Sequence, residues 1–141
     1  DYPYMNEAAW RDALGFNPDI AIIKLGTNDS KPFNWKYQNE FIRDMQQLID
    51  SLKTRPSHPR IILCTPLPAP NLNNSIQDSV IARYICPMIK KLAKKNKIEL
   101  IDLHSTYQCS DGMMQADRIH PTIRGAGQIA EIVRSVILKE K

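Results

Sequence analysis

Two side chains near the C-terminus, Asp117 and His120, have the residue types and the spacing for acid–base chemistry. They lie three positions apart in Asp117-Arg118-Ile119-His120-Pro121, just before a run of apolar residues at helical spacing. A carboxylate at this separation can hold an imidazole in the tautomer that acts as a general base. The alternative for a single histidine is a packed or helix-capping side chain. The spacing indicates a catalytic base with its orienting acid.

A second polar segment follows an apolar run. Gly26-Thr27-Asn28-Asp29 comes directly after residues 20–25, a run that is typical of a parallel strand covered on both faces. A glycine-containing exit from such a strand places Asn28 at the carboxyl edge of the sheet, where α/β folds bind their ligands. Asn and Asp are also ordinary residues of a turn, which is the alternative interpretation.

Apolar patterns predict the elements that position these side chains. The predicted strands cover residues 20–25, 60–67 and 98–103, and the third is more polar, which places it near a sheet edge. Helical spacing predicts helices over residues 35–53, 76–95 and 121–139. The alternation of strands and helices indicates a parallel sheet with helices on both faces, an α/β three-layer sandwich in one domain.

Three details of the helices are specific predictions. The core-facing residues of the helix over 35–53 are Tyr37, Phe41, Met45, Leu48 and Leu52. Pro87 must kink or split the helix over 76–95, and we expect a split. Pro121 is expected in the first turn of the last helix, where a missing N–H costs nothing.

Taken together, Gly26-Thr27-Asn28-Asp29 and Asp117-x-x-His120-Pro121 resemble, in their order and separation, the third and fifth sequence blocks of the SGNH, or GDSL-type, esterase family. The stretch from Lys24 to Pro32 is most similar to the carbohydrate-active members, the sialate O-acetylesterase and acetylxylan esterase-like proteins. The resemblance spans essentially the whole chain. It implies a flavodoxin-like sheet, a serine-dependent hydrolysis of carbohydrate or small-molecule esters, no cofactor and a periplasmic or secreted location.

The resemblance also assigns roles to residues. It implies that Asp117 holds the tautomer of His120 whose other ring nitrogen faces a serine, and that Asn28 donates a hydrogen bond to the oxyanion. Gly26 and Asp29 belong to the same site loop. Lys31, Trp35 and Tyr107 are candidates to line a sugar cleft, with core packing as an equal alternative for Trp35.

The nucleophile of that family is a serine in a Gly-Asp-Ser block, and this chain has no such block. None of its five glycines, Gly15, Gly26, Gly112, Gly125 and Gly127, precedes Asp-Ser. We therefore expect residues 1–141 to be a single domain that is incomplete at its N-terminus, lacks two strands and is inactive alone. The alternative is a non-catalytic, carbohydrate-binding pseudoenzyme. If the preceding strands are absent, residues 20–25 become an exposed apolar edge, which predicts dimer formation, domain swapping or aggregation.

Composition and short motifs argue against several other functions. The net charge of +4 comes largely from a lysine cluster at one helix end, without interleaved aromatics, which indicates a solvated face and no nucleic-acid partner. The sequence contains no stretch of about 18 apolar residues, so it predicts no membrane span. Three widely spaced cysteines and His58 and His104 give no metal-binding pattern. A flavodoxin-like nucleotide or signalling domain would need a Gly-x-Gly-x-x-Gly or P-loop segment, which is absent.

Overall fold

The part of the chain that the structure describes consists of three parallel strands with helices on both faces. The structure, a computed structural model, describes residues 3–70 and 75–139. In chain order the helices and strands are α1 (Ala8–Gly15), β1 (Ile20–Ile23), α2 (Pro32–Trp35), α3 (Phe41–Lys53), β2 (Arg60–Cys64), α4 (Asp78–Val80), α5 (Cys86–Asn96), β3 (Glu99–Ile101), α6 (Leu103–Thr106) and α7 (Ile123–Ile137). Short 3₁₀ turns lie at Tyr4–Asn6 and Asn28–Ser30, and a π-helical turn lies at Ile81–Ile85.

The strands lie in the order β1-β2-β3, and both neighbouring pairs are parallel. Ile62 of β2 is the register partner of Ile22 on one side and of Glu99 on the other. Because the strands are parallel, their carboxyl ends lie at one edge of the sheet. The predicted parallel α/β sheet is confirmed, and β3 is an edge strand of the described sheet as predicted.

Two hydrophobic cores, one on each face of the sheet, make three layers. Successive side chains of a strand point to opposite faces, so Ile61 and Leu63 of β2 join the larger core, whereas Ile62 and Cys64 join the smaller. The larger core includes buried residues of α1, α3 and α5. Residues of α7 pack against the smaller core, namely Ile129, Ile132, Val133, Val136 and Ile137. The predicted three-layer sandwich is confirmed.

β1 is covered on one face only. Ala21 and Ile23 are buried in the larger core, but Ile20 and Ile22 on the other face are 39% and 40% exposed. The apolar run predicted a strand covered on both faces, and that prediction is wrong for the described part of the chain, where β1 pairs with β2 alone. The sequence pattern records apolar side chains but not whether an element covers them.

All three strands are shorter than predicted. β1 ends before Gly26, whose φ of 117° turns the chain out of the extended conformation. β2 ends at Cys64, although Thr65 still donates its N–H to the Ile101 carbonyl at 3.0 Å. The next residue, Pro66, has no N–H to continue the ladder.

The helix predicted over residues 35–53 is two helices. Residues 36–40 form successive tight turns between α2 and α3, for example Glu40 N to Tyr37 O at 2.8 Å. Four of the five predicted core residues lie in α3 and are buried, but Tyr37 lies in the turns and is exposed. Tyr37 fits the helical spacing by chance, and including it placed the start of the predicted helix too early.

Prolines act differently from what we predicted in the last two helices. The backbone stays helical from α4 to α5, so the expected split is wrong. The π-helical turn Ile81–Ile85 precedes the first turn of α5, which contains Pro87, and accommodates the missing N–H. Pro121 lies outside α7, because Thr122 is the N-cap and its hydroxyl accepts a hydrogen bond from Gly125 N at 3.2 Å. No described helix is long and apolar enough to cross a membrane.

Candidate functional site

Asp117 and His120 lie at the tip of a small hairpin formed by residues 113–122. At its base Thr122 N donates to Met113 O at 3.0 Å, and nearer the tip Gln115 N donates to His120 O at 2.8 Å. An antiparallel bridge joins Met114 and Pro121 between these two hydrogen bonds. The polar loop that was predicted to present the pair is therefore an ordered element, which we call the 113–122 hairpin.

The side chain of Asp117 closes the tip of the hairpin. Its Oδ1 accepts hydrogen bonds from the backbone N–H groups of Ile119 at 2.9 Å and His120 at 3.0 Å. Asp favours such local turns because its short carboxylate reaches the backbone two or three residues ahead. Arg118 between them has a φ of 54°. This turn leaves Oδ2 free to meet the imidazole.

Asp117 and His120 are in direct contact. Asp117 Oδ2 lies 2.6 Å from His120 Nδ1. The hydrogen bond from the His120 ring and those from the two backbone N–H groups lower the pKa of Asp117 to about 2. The carboxylate is thus ionised at neutral pH and favours the proton on Nδ1, which leaves Nε2 as the basic atom. Both side chains are exposed, and His120 makes no hydrogen bond to a serine hydroxyl within residues 3–70 and 75–139.

Gly26 allows the chain to turn from β1 towards Asn28. Its φ of 117° is a conformation that side chains disfavour, and a Cβ there would lie only 2.9 Å from Ile85 Cγ2. Asn28 begins the following 3₁₀ turn, and its backbone carbonyl accepts hydrogen bonds from Lys31 N at 3.1 Å and Asn34 Nδ2 at 2.9 Å. Its exposed side-chain amide has no hydrogen-bond partner among the described residues, so it can donate to a ligand.

The next two residues attach this turn to the protein. Asp29 is half-buried, and burial, followed by the nearby charge of Asp44, raises its pKa. Ser30 is buried, donates its hydroxyl to Thr27 O at 2.8 Å and accepts Gln77 N at 3.1 Å. In the described chain no hydrogen bond joins Asn28 to the Asp117–His120 pair. Asn28 comes shortly after β1, whereas Asp117 and His120 come after β3 and α6.

A polar network that the sequence did not reveal, centred on the buried Thr65, lies at the carboxyl ends of β2 and β3. Thr65 donates its hydroxyl to Asp102 Oδ1 at 3.0 Å and accepts His104 N at 2.9 Å. Lys90 Nζ and the Ser105 hydroxyl bind Asp102 Oδ2 at 2.6 and 2.8 Å. Although burial raises the pKa of Asp102, its hydrogen bonds with Lys90, Ser105 and Thr65 outweigh this and lower it. The network ties the loop after β2 to the loop after β3.

His104 and Asp78 extend this network. Asp78 Oδ1 lies 3.2 Å from His104 Nε2 and accepts Ala69 N at 2.8 Å, which holds the proline-rich loop after β2. His104 was predicted to be structural, and its contacts agree with that role. Asp78 carried no sequence signal, because its partners meet it only through tertiary packing. Among the described residues no cluster of three or more His, Cys, Asp or Glu side chains could hold a metal ion.

A cavity of about 250 Å³ opens beside Asp117. Its lining residues come from the hairpin and from the segment just before it, and they are Cys109, Ser110, Asp111, Gly112, Met114, Gln115, Ala116 and Arg118. Tyr107 and Trp35, the two aromatic candidates for a sugar cleft, are not among them. The ring of Tyr107 is buried, and Trp35 packs on the larger core and on Tyr84.

Comparisons with known proteins agree with the resemblance found in the sequence. The GDSL-like Lipase/Acylhydrolase family matches residues 3–127, a range that contains Gly26, Asn28, Asp117 and His120. An acetylxylan esterase from Xylanibacter ruminicola is 42% identical over 154 aligned residues, which cover 97% of this chain and 32% of that protein. The chain thus spans about a third of the length of this relative.

Solved structures share the fold. A crystal structure of an acetyl xylan esterase, AlAXEase, superposes with a TM-score of 0.72 at 26% identity and covers 91% of this chain and 71% of that one. A lipase/acylhydrolase from Enterococcus faecalis gives a TM-score of 0.73 at 20% identity, with 94% of this chain and 65% of that one covered. At this lower identity the likeness shows the fold alone.

Proposed function

Because this chain belongs to the GDSL-like lipase/acylhydrolase family, we propose that the complete protein is a serine-dependent esterase that removes acetyl or other short acyl groups from carbohydrate or small-molecule esters. One observation carries the proposal. The 2.6 Å contact between Asp117 Oδ2 and His120 Nδ1 orients an exposed imidazole as a general base. The relatives named as acetylxylan esterases support acetylated sugars as the substrate class.

In the first half of the reaction, His120 Nε2 takes the proton of the serine hydroxyl while the serine oxygen attacks the ester carbonyl carbon. Asp117 stays ionised and stabilises the imidazolium that forms. The carbonyl oxygen becomes an oxyanion, and the Asn28 amide donates a hydrogen bond to it. The imidazolium then returns the proton to the departing alcohol oxygen as the ester C–O bond breaks.

In the second half, a water molecule replaces the alcohol. His120 Nε2 takes a proton from the water, whose oxygen attacks the carbonyl carbon of the acyl-enzyme. The oxyanion again lies opposite the Asn28 amide. The proton passes from His120 to the serine oxygen as that C–O bond breaks, so the carboxylic acid leaves and the serine hydroxyl is restored.

The serine in this proposal lies outside residues 1–141, since none of their glycines precedes Asp-Ser. Labelling the full-length protein with a fluorophosphonate, followed by intact-mass spectrometry and digestion, tests this assignment. We expect one adduct, on a serine outside residues 1–141, and much slower labelling in His120→Ala. An adduct on a serine within these residues, or equal labelling of His120→Ala, would contradict the assignment.

A second candidate function rests on the same missing block. If the nucleophile is absent from the full-length protein as well, the remaining site would bind acetylated sugars without turnover. Calorimetry with acetylated xylooligosaccharides would then show binding by a protein that takes up no fluorophosphonate and releases no acetate. Release of acetate would exclude this candidate.

A further inference from the structure

The carbonyl oxygen of Met113 is a main attachment point for the base of the 113–122 hairpin. This oxygen accepts Thr122 N at 3.0 Å, within the hairpin, and the hydroxyl of Tyr107 at 2.8 Å, from outside it. The phenol is therefore a hydrogen-bond donor that connects the hairpin to the body of the protein.

Tyr107 is itself fixed in the body. It is 5% exposed, belongs to the smaller core and donates its backbone N–H to Leu103 O at 2.9 Å. Burial raises its pKa above the ordinary value, so the hydroxyl keeps the proton that it donates to Met113. A rigid donor at this position sets where the hairpin base can lie.

Gly125 lies close to the same carbonyl oxygen. It lies in the first turn of α7 and is buried, and a Cβ added there would overlap both the Met113 carbonyl oxygen and the Tyr107 hydroxyl. Only glycine lets α7 approach this close. The adjoining N-cap strengthens the contact, because the Thr122 hydroxyl donates to Gly112 O at 2.6 Å while it accepts Gly125 N.

Beyond the base, side-chain packing and not hydrogen bonding attaches the hairpin to the body of the described chain. In the described chain, the hydrogen bonds of residues 114–121 stay within the hairpin. Ile119 at the tip packs against the larger core, and Met114 nearer the base packs against the smaller core. A displacement of the base would therefore be carried to the tip, where His120 lies, while the Asp117–His120 contact itself could stay intact.

We propose that Tyr107 and Gly125 are positioning residues, which place the base of the 113–122 hairpin on α7 and thereby aim His120 at the reacting ester. This inference rests on the proposed function, in which His120 is the general base. A misplacement of about 1 Å can cost about 10²-fold in rate even when every reacting group is present. An added Cβ at position 125 requires a shift of about that size to restore van der Waals distances.

The test compares Gly125→Ala with Gly127→Ala. Both add one methyl group to α7, but a Cβ at position 127 meets no atom within 4 Å. Residual dipolar couplings of the backbone amides in the full-length protein report the orientation of the hairpin relative to the sheet. We expect the couplings of the hairpin amides in Gly125→Ala to differ from those of the wild type, because the hairpin is reoriented relative to the sheet. In Gly127→Ala these couplings should match those of the wild type. An unchanged orientation in a folded Gly125→Ala would overturn the proposal.

Kinetics of the full-length protein give the second readout. Gly125→Ala should lower kcat about 10²-fold with KM changed by less than about twofold, because the reacting groups are misaligned and not removed. Gly127→Ala should match the wild type. A kcat in Gly125→Ala equal to that of the wild type would overturn the positioning role. If the wild type itself has no esterase activity, the proposed function fails, while the couplings still decide whether the two residues place the hairpin.

Tyr107→Phe keeps the test decisive if Gly125→Ala does not fold, because it adds no atom and removes only the hydroxyl. We expect amide hydrogen exchange at Thr122 and Gln115 to become at least about tenfold faster, with a smaller loss of kcat than in Gly125→Ala. Exchange rates and kcat equal to those of the wild type would overturn the role of Tyr107.

Discussion

At the scale of single residues, two carboxylates near the candidate site have opposite environments. Asp117 is exposed but receives hydrogen bonds from the His120 ring and from two backbone N–H groups, and its pKa is lowered to about 2. Asp29 is half-buried, and burial raises its pKa. Of these two carboxylates, only Asp117 combines a stable negative charge with contact to an imidazole, which is the arrangement that an orienting acid needs.

The titration of Asp117 is the first prediction. The ¹³C chemical shift of its carboxyl carbon should titrate near pH 2 in residues 1–141. His120→Asn should move this pKa towards the ordinary 3.8, because the hydrogen bond from the His120 ring is the largest cause of the lowered pKa. Since folding lowers this pKa, Asp117 stabilises the fold above pH 3.8 and loses that effect as the pH falls towards 2. His58→Asn is the control. A wild-type midpoint at 3.8 would contradict the observed geometry.

The oxyanion role of Asn28 gives the second prediction. In the full-length protein, Asn28→Ala should lower kcat by about 10² to 10³-fold and change KM little, because the amide binds a charge that develops only in the transition state. Asn39→Ala changes an exposed asparagine in the turns before α3 and should leave kcat unaltered. If Asn28→Ala keeps the wild-type kcat, Asn28 is an ordinary turn residue.

At the scale of elements, the spacing of apolar residues in the sequence was sufficient to predict the strands and the buried face of one helix. Apolar runs located all three strands, and helical spacing located the buried face of α3. The 113–122 hairpin could not be predicted in the same way. Its base depends on Tyr107 and Gly125 meeting Met113, which is a tertiary contact without a repeating pattern. The spacing of Asp117 and His120 was informative because their contact is local.

Arg60 connects two elements and gives the third prediction. Its guanidinium donates to both carboxylate oxygens of Glu99 in β3, at 2.6 and 2.7 Å. It also donates to the carbonyl oxygens of Ile137 at 2.8 Å and Val136 at 2.9 Å, at the end of α7. Arg60→Ala should lower the midpoint of thermal unfolding by several degrees, because it leaves the helix end and Glu99 without this donor.

The control for this prediction is Arg43→Ala. Arg43 also pairs with two carboxylates, Glu40 and Asp44, but its side chain is 63% exposed whereas that of Arg60 is 22% exposed. Solvent screens such exposed pairs, so its loss should change stability little. Equal effects of the two substitutions, measured by thermal unfolding followed with circular dichroism, would contradict the assigned role of Arg60.

At the scale of the whole molecule, the uncovered face of β1 is the main departure from a closed α/β sandwich. Ile20 and Ile22 lie exposed beside a strand edge that is unpaired in the described chain. Apolar sheet edges of this kind favour pairing with another chain.

Self-association of residues 1–141 is the fourth prediction. Sedimentation velocity should show concentration-dependent dimers, and Ile22→Lys should weaken them at least about tenfold, because a charge replaces apolar surface at the edge. Ile123→Lys is the matched control, since Ile123 is 95% exposed but belongs to α7 and not to β1. A wild-type chain that stays monomeric at high concentration would contradict this prediction.

The most direct test of the proposed chemistry is the rate of acetate release from acetylated xylooligosaccharides by the full-length protein and its His120→Asn variant, with His58→Asn as the matched control. If His120 is the general base, His120→Asn lowers kcat at least about 10³-fold, while His58→Asn, in an exposed turn, keeps the wild-type rate. Equal rates for His120→Asn and the wild type would show that the Asp117–His120 pair is not the catalytic centre.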